Sequence, residues 1–99
     1  MNEYMIDINL PSDIDANFVA LIPDQHQQMN DLMEEEVIKS YTLSLDRSKL
    51  WIVINAKSKS TVVGIVNDFP LARYIKATIY ELALHNTTAY TKFPGISLN

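Results

Sequence analysis

The segment LWIVINA at residues 50–56 carries apolar side chains on both faces of any strand it forms. Successive residues of a strand point to opposite sides. Leu50, Ile52 and Ile54 therefore share one face, and Trp51 and Val53 share the other. A strand with one wet face alternates cleanly between apolar and polar residues; this one asks for cover front and back. Residues 76–84 make the same demand, with Ala77, Ile79 and Ala83 alternating against Thr78, Tyr80, Leu82 and Leu84. The chain has 99 residues, and a domain of that size buries only roughly 60–70% of its unfolded surface. Burial against a second identical copy is the simplest source of the missing cover.

Four strands and two helices can be read in order. Residues 4–10 alternate Ile6 and Ile8 with Asp7 and Asn9, a period of two, and Pro11 ends the run. Residues 16–36 read as a helix. Its stripe is Phe18, Ile22, Met29 and Met33, widened by Val19, Leu21 and Leu32, with Asp13 or Asp15 as the cap. Pro23 lies within this run and predicts a kink or a restart there. Glu34, Glu35 and Glu36 oppose the helix dipole and predict a fraying end. Residues 37–45 form the second strand, with Tyr41, Leu43 and Leu45 on one face. A polar hairpin, residues 46–49, leads into LWIVINA. A second helix, capped by Ser58 or Ser60, runs to about Asp68 on Val62, Val63, Ile65 and Val66, and residues 76–84 are the last strand.

This order, β-α-β-β-α-β with a central hairpin, is the split pattern of ferredoxin-like α+β sandwiches. The whole chain, 1–99, reads as one domain with a core at about 4–86 and a C-terminal tail, 87–99, that has no period. No repeat or low-complexity stretch interrupts it.

Charge and composition narrow the function classes. Apolar residues make up 47% and charged residues 20%, a globular balance. Net charge is −4 and the eight Lys and Arg are scattered, which argues against nucleic acid and against an anionic membrane surface. No apolar run approaches the ~20 residues that span a bilayer. Without cysteine there is no disulfide framework, thiolate metal site or thiol nucleophile, a composition compatible with a reducing cytoplasm. The N-terminus lacks the basic and apolar regions of a signal peptide.

Several local motifs, taken in order, resemble the muconolactone isomerase-like family. They are Leu10-Pro11 followed by Asp13 and Asp15; the helix from Phe18; Phe69-Pro70-Leu71 with Tyr74; and the closing Glu81-Leu82-Ala83-Leu84-His85. The resemblance covers about residues 4–86. It implies a dimeric α+β barrel joined sheet to sheet, and often a larger ring of dimers. It also implies a cofactor-independent proton transfer that shifts a double bond within an unsaturated lactone, in the bacterial breakdown of aromatic compounds. The chain departs from the type enzyme around Ile38, Lys39, Ser40 and Tyr41, and no catalytic residue is carried over by resemblance.

Candidate site residues come from position instead. A lactone isomerase needs a base beside a carbonyl, an acid to return the proton, and a group for the substrate carboxylate. His26 follows Ile22 by four residues and precedes Met29 by three, so it lies along the helical stripe as the leading base, or as a core-edge histidine bonded to backbone. Tyr41 offers a hydroxyl from the sheet, or packs as a core or dimer aromatic. Arg47 and Lys49 in the hairpin are candidates for gripping a carboxylate, or keep a loop solvated. Trp51 is a packing residue or a wall of the binding site. Arg73 and Tyr74 line a pocket mouth or a solvated turn. His85 and His26 match no metal-ligand spacing. These residues frame three hypotheses: an isomerase without cofactor, a non-catalytic ligand-binding or accessory protein on the same scaffold, and a purely structural interaction module.

Overall fold

The structure, a computed structural model, describes residues 1–86; the tail at 87–99 lies outside the described residues. The elements are β1 (Asn2–Asn9), α1 (Ala16–Glu34), β2 (Ile38–Leu43), β3 (Lys49–Ala56), α2 (Lys59–Asn67), a 3₁₀ turn (Ala72–Tyr74) and β4 (Lys76–Glu81). The strands form one antiparallel sheet in the order β2-β3-β1-β4. This is the ferredoxin-like β-α-β-β-α-β arrangement that the order of elements implies.

Alternation on the central strand decides which face the helices cover. Tyr4, Ile6 and Ile8 of β1 are buried, and between them stand half-buried Met5 and Asp7. Ile6 lies opposite Ile52 on one side and Ile79 on the other, so the apolar rows of three strands line up. Met29 of α1 and Val62 and Val66 of α2 join Tyr4, Ile6, Ile8, Ile52 and Ile54 in a single core. A slip of one residue would turn the Tyr4-Ile6-Ile8 row away from both helices, which fixes the register.

The opposite face carries Met5, Asp7, Trp51, Val53, Thr78 and Tyr80, as the pairings of Met5 with Val53 and Tyr80, and of Asp7 with Trp51 and Thr78, require. The two-faced apolar character of β3 is therefore observed. The character of β4 is narrower than expected. The strand ends at Glu81, and Leu84 lies beyond it, largely exposed. Likewise β2 stops at Leu43, because residues 44–48 form the hairpin turn and leave Leu45 fully exposed. A register irregularity between Ile38 and Ser40 marks the start of β2.

Helix α1 chooses between the alternatives at its cap and at Pro23 and corrects the expectation of a frayed end. Asp15, not Asp13, caps it, accepting from the Phe18 N–H at 2.8 Å. The helix runs through Pro23 without restarting. Pro23 and Val19, whose carbonyl loses its usual donor, are both exposed, so the missing bond lies on the solvent side. The acidic end is sealed rather than frayed. Glu36 takes a left-handed φ of 61°, its N–H donates to the Met33 carbonyl at 3.0 Å, and the Val37 N–H donates to the Leu32 carbonyl at 2.9 Å. This is a Schellman closure with glutamate where glycine is usual. Helix α2 is capped by Ser58, whose Oγ accepts from the Thr61 N–H.

The buried face of α1 is also rotated from the stripe read in the sequence. Phe18 and Met29 are buried, but Val19, Ile22 and Met33 are 54%, 43% and 39% exposed. At 100° per residue, Leu21, Gln25 and Leu32 fall on the same side as Phe18 and Met29, and all three are partly buried.

The left-handed glutamate gives a direct test. Glu36→Gly removes the Cβ strain at that position and is expected to raise unfolding free energy by about 1 kcal/mol, read from the midpoint of urea denaturation.

Candidate functional site

A cavity of about 280 Å³ opens between α1, the β2–β3 hairpin and the loop that follows β1. Phe18, Ile22, Gln25, His26 and Met29 supply the helical wall. Their spacings of three and four residues keep them on neighbouring rows of one side. Tyr41, Leu43 and Leu50 supply the floor; Tyr41 pairs with Ile52 and Leu43 with Leu50, so the floor is the helix-facing side of the sheet. Leu10, Pro11, Ile14, Leu71 and Arg47 complete it. The lining is mostly apolar, with four polar members: Gln25, His26, Tyr41 and Arg47.

The structure thus brings three of the sequence candidates together. His26 lies on an exposed part of α1, and the described residues offer its ring no hydrogen-bond partner. The expected backbone bond to His26 is absent among them. Tyr41 is half-buried in the floor. Arg47 stands in the hairpin, with no carboxylate within 4.0 Å among the described residues.

Four candidates stand elsewhere. Lys49 reaches across the opposite sheet face to Asp7, with Nζ 2.8 Å from Oδ1. Trp51 is on that same face, beside Asp7 in the register. Tyr74 packs edge-on against Phe18, ring centroids 5.4 Å apart, and so stands behind the cavity wall. Arg73 lies over the Tyr74 ring and donates to its hydroxyl at 3.1 Å.

The hairpin that carries Arg47 is held by one carboxylate. Asp46 Oδ1 accepts from Ser48 Oγ at 2.7 Å, Ser44 Oγ at 2.8 Å and the Ser48 N–H at 3.0 Å. The Arg47 N–H donates to the Ser44 carbonyl at 3.0 Å, and Arg47 adopts φ 62°. A left-handed arginine costs roughly 1–2 kcal/mol against its ordinary conformation. The serines occupy Oδ1 of Asp46, and the guanidinium of Arg47 makes no ion pair with it or with any other carboxylate among the described residues.

Gln25 was missed by the sequence reading. Its Oε1 accepts from the Leu71 N–H at 3.1 Å and ties α1 to the loop after α2. The signal was present: a polar residue seven after Phe18 and four before Met29, on the side of the helix that is otherwise apolar. Among the described residues no three His, Cys, Asp or Glu side chains gather as a metal site. No helix among them is long and apolar enough to cross a membrane.

The chain superimposes on the crystal structure of muconolactone isomerase with a TM-score of 0.71. It has the same fold. The match covers 87% of this chain and 93% of the other, at 18% sequence identity. No protein-family model matches the sequence. No curated protein matches it either.

The serine bonds have a consequence for pH. The Ser48 hydroxyl first, then the Ser48 N–H and the Ser44 hydroxyl, favour the charged form of Asp46 and lower its pKa from 3.8 to about 2. A depressed carboxylate contributes stability above its unfolded pKa and loses it as pH falls through the folded value. The hairpin is expected to hold at neutral pH and to loosen as pH falls from about 4 towards 2. The Asp46 carboxyl carbon in an NMR titration checks this; an ordinary midpoint near 3.8 would contradict it.

Proposed function

We propose that this protein is a small-molecule isomerase, free of any cofactor, that moves a proton on an unsaturated lactone or enol acid. The observation that carries the reading is the convergence of His26, Tyr41 and Arg47 on one largely apolar cavity. The shared fold with muconolactone isomerase supports the reaction class, while the site residues rest on geometry alone.

Each residue has a chemical role in this reading. The Arg47 guanidinium binds the substrate carboxylate at the hairpin end. The His26 imidazole removes a proton from the γ carbon of the conjugated lactone, at the far end of the double bond from the carbonyl. The electron pair left on carbon delocalises into the carbonyl, giving a dienolate. The Tyr41 hydroxyl donates a hydrogen bond to the oxygen on which that charge develops. The imidazolium then delivers a proton to the carbon next to the carbonyl, which shifts the double bond out of conjugation and restores neutral histidine. Apolar walls keep the carbonyl away from bulk water and strengthen each polar contact.

One observation favours a second reading. His26 is exposed and has no partner to orient it among the described residues, as suits a non-catalytic binding protein with the same cavity. Incubation with muconolactone in deuterated water separates the two. Isomerase action predicts deuterium entering the ring carbons faster than without protein, and its loss in His26→Ala. Saturable binding with neither a double-bond shift nor exchange above background would establish the second reading.

Arg47 has its own test. Arg47→Gly relieves the left-handed strain, so the melting temperature is expected to hold or rise while affinity for muconolactone falls by about tenfold or more. An unchanged affinity by calorimetry removes Arg47 from the site.

We also propose that two copies pair through the sheet face that carries Met5, Trp51, Val53 and Tyr80. Trp51 and Met5 are half-buried there and Tyr80 is 52% exposed, an apolar centre with polar flanks of the kind that dimer interfaces show. Larger rings of such dimers and a cytoplasmic setting belong to the same proposal. Sedimentation at micromolar concentration is expected to give a dimer, and a Trp51→Glu variant a monomer. A stable wild-type monomer would sink the pairing.

A further inference from the structure

Among the described residues, Gln25 is the one polar lining residue whose side chain makes a hydrogen bond within the protein. A backbone N–H can only donate, and Leu71 donates to Gln25 at 3.1 Å. The atom that accepts must be Oε1, so the amide cannot be flipped, and Nε2 is left with both its hydrogens. Nε2 has no partner among the described residues. Gln25 is half-buried, and no side-chain nitrogen or oxygen there is both buried and unpaired, so solvent reaches Nε2. Gln25 also lines the cavity.

The consequence is chemical. His26 and Tyr41 each accept as well as donate, and Arg47 carries charge. Gln25 Nε2 is a neutral donor with no acceptor capacity, held on the buried side of α1 beside Leu21 and Leu32 rather than at the exposed edge where His26 stands. A ligand that displaces solvent from Nε2 must supply an acceptor or leave its two N–H bonds unpaired in an apolar wall. A lactone or aryl-ether ring oxygen is a poor acceptor because its lone pair is delocalised into the neighbouring π system, whereas a carbonyl oxygen carries more negative charge and accepts strongly.

We propose that Gln25 is a binding and specificity residue of this cavity, whose Nε2 donates to the carbonyl oxygen of the ligand. It selects carbonyl-bearing rings over rings of the same shape that lack the group. In the isomerase reading it joins Tyr41 as a second donor at the developing oxyanion. The proposal rests on the cavity being a ligand site, and the test keeps the two claims apart.

The probes are coumarin, an unsaturated lactone, and 2H-chromene, the same bicycle with CH₂ in place of the carbonyl. Binding is followed by NMR shifts of the full chain. The wild-type protein is expected to bind coumarin about fivefold more tightly than 2H-chromene, the worth of one neutral hydrogen bond. Gln25→Glu keeps an oxygen for the Leu71 N–H but has no N–H to donate; it is expected to melt within a few degrees of wild type and to lose the preference for coumarin. Gln25→Met, of similar size, is expected to lose it too and serves where the charged variant fails to fold. Equal binding of both probes by the wild type, or a preference retained in either variant, overturns the role of Gln25 while leaving the cavity as a binding site. Binding of neither probe overturns both claims.

Discussion

The structure depends on the burial of one row of side chains. Tyr4, Ile6 and Ile8 occupy the middle of the sheet, on the second strand from one edge, and are 2%, 0% and 0% exposed. Each fully buried side chain of this size contributes roughly 1.5–3 kcal/mol relative to exposure, and the row is continued sideways by Ile52 and Ile54. Both helices must lie on that side, and the register of every strand follows from it. The other side of the sheet is then whatever remains: Met5, Asp7, Trp51, Val53, Thr78 and Tyr80. Its ion pair between Asp7 and Lys49 is half-exposed, so it adds little to the fold by itself.

The cavity is a local departure from this close-packed layer. Along the inner side of α1, Phe18, Leu21, Met29 and Leu32 are apolar, and Gln25 stands among them where another leucine would fill space. Its amide is turned to hold the Leu71 backbone, and the volume between it, Tyr41 and Leu50 stays open. At the hairpin end a strained backbone brings in the one cation. Strain at a non-glycine residue persists only where the surroundings enforce it, and it gathers at functional positions. Asp46 and its serines provide that enforcement here.

Much of the fold was legible from residue patterns. The two-faced apolar β3, the alternating β1 and the order of elements all reflect side-chain periodicity, which backbone geometry imposes directly. The ends of elements were less legible. Leu45 and Leu84 continue their strands' alternation in sequence yet fall outside the strands, because hairpin closure by Asp46 and the end of pairing at Glu81 decide the boundary. The phase of α1 was misjudged by less than one residue's rotation. Two apolar stripes coexist on that helix, and the one chosen packs Met29 and Leu32 on the sheet core and bonds Gln25 to the Leu71 N–H. The site was legible in part for the same reason. His26, Tyr41 and Arg47 reach the cavity, whereas Lys49 and Trp51 follow strand alternation to the far side of the sheet, a consequence the sequence already contained.

The central claim is that the space between α1 and the hairpin, not the opposite sheet face, receives the ligand. Amide chemical-shift mapping during titration with a small unsaturated lactone acid tests it most directly. The account predicts saturable shifts clustered at Gln25, His26, Tyr41, Arg47 and Leu71, with Asp7, Trp51 and Thr78 unmoved. Shifts confined to Asp7, Trp51 and Thr78, or no saturable shift at all, would contradict it.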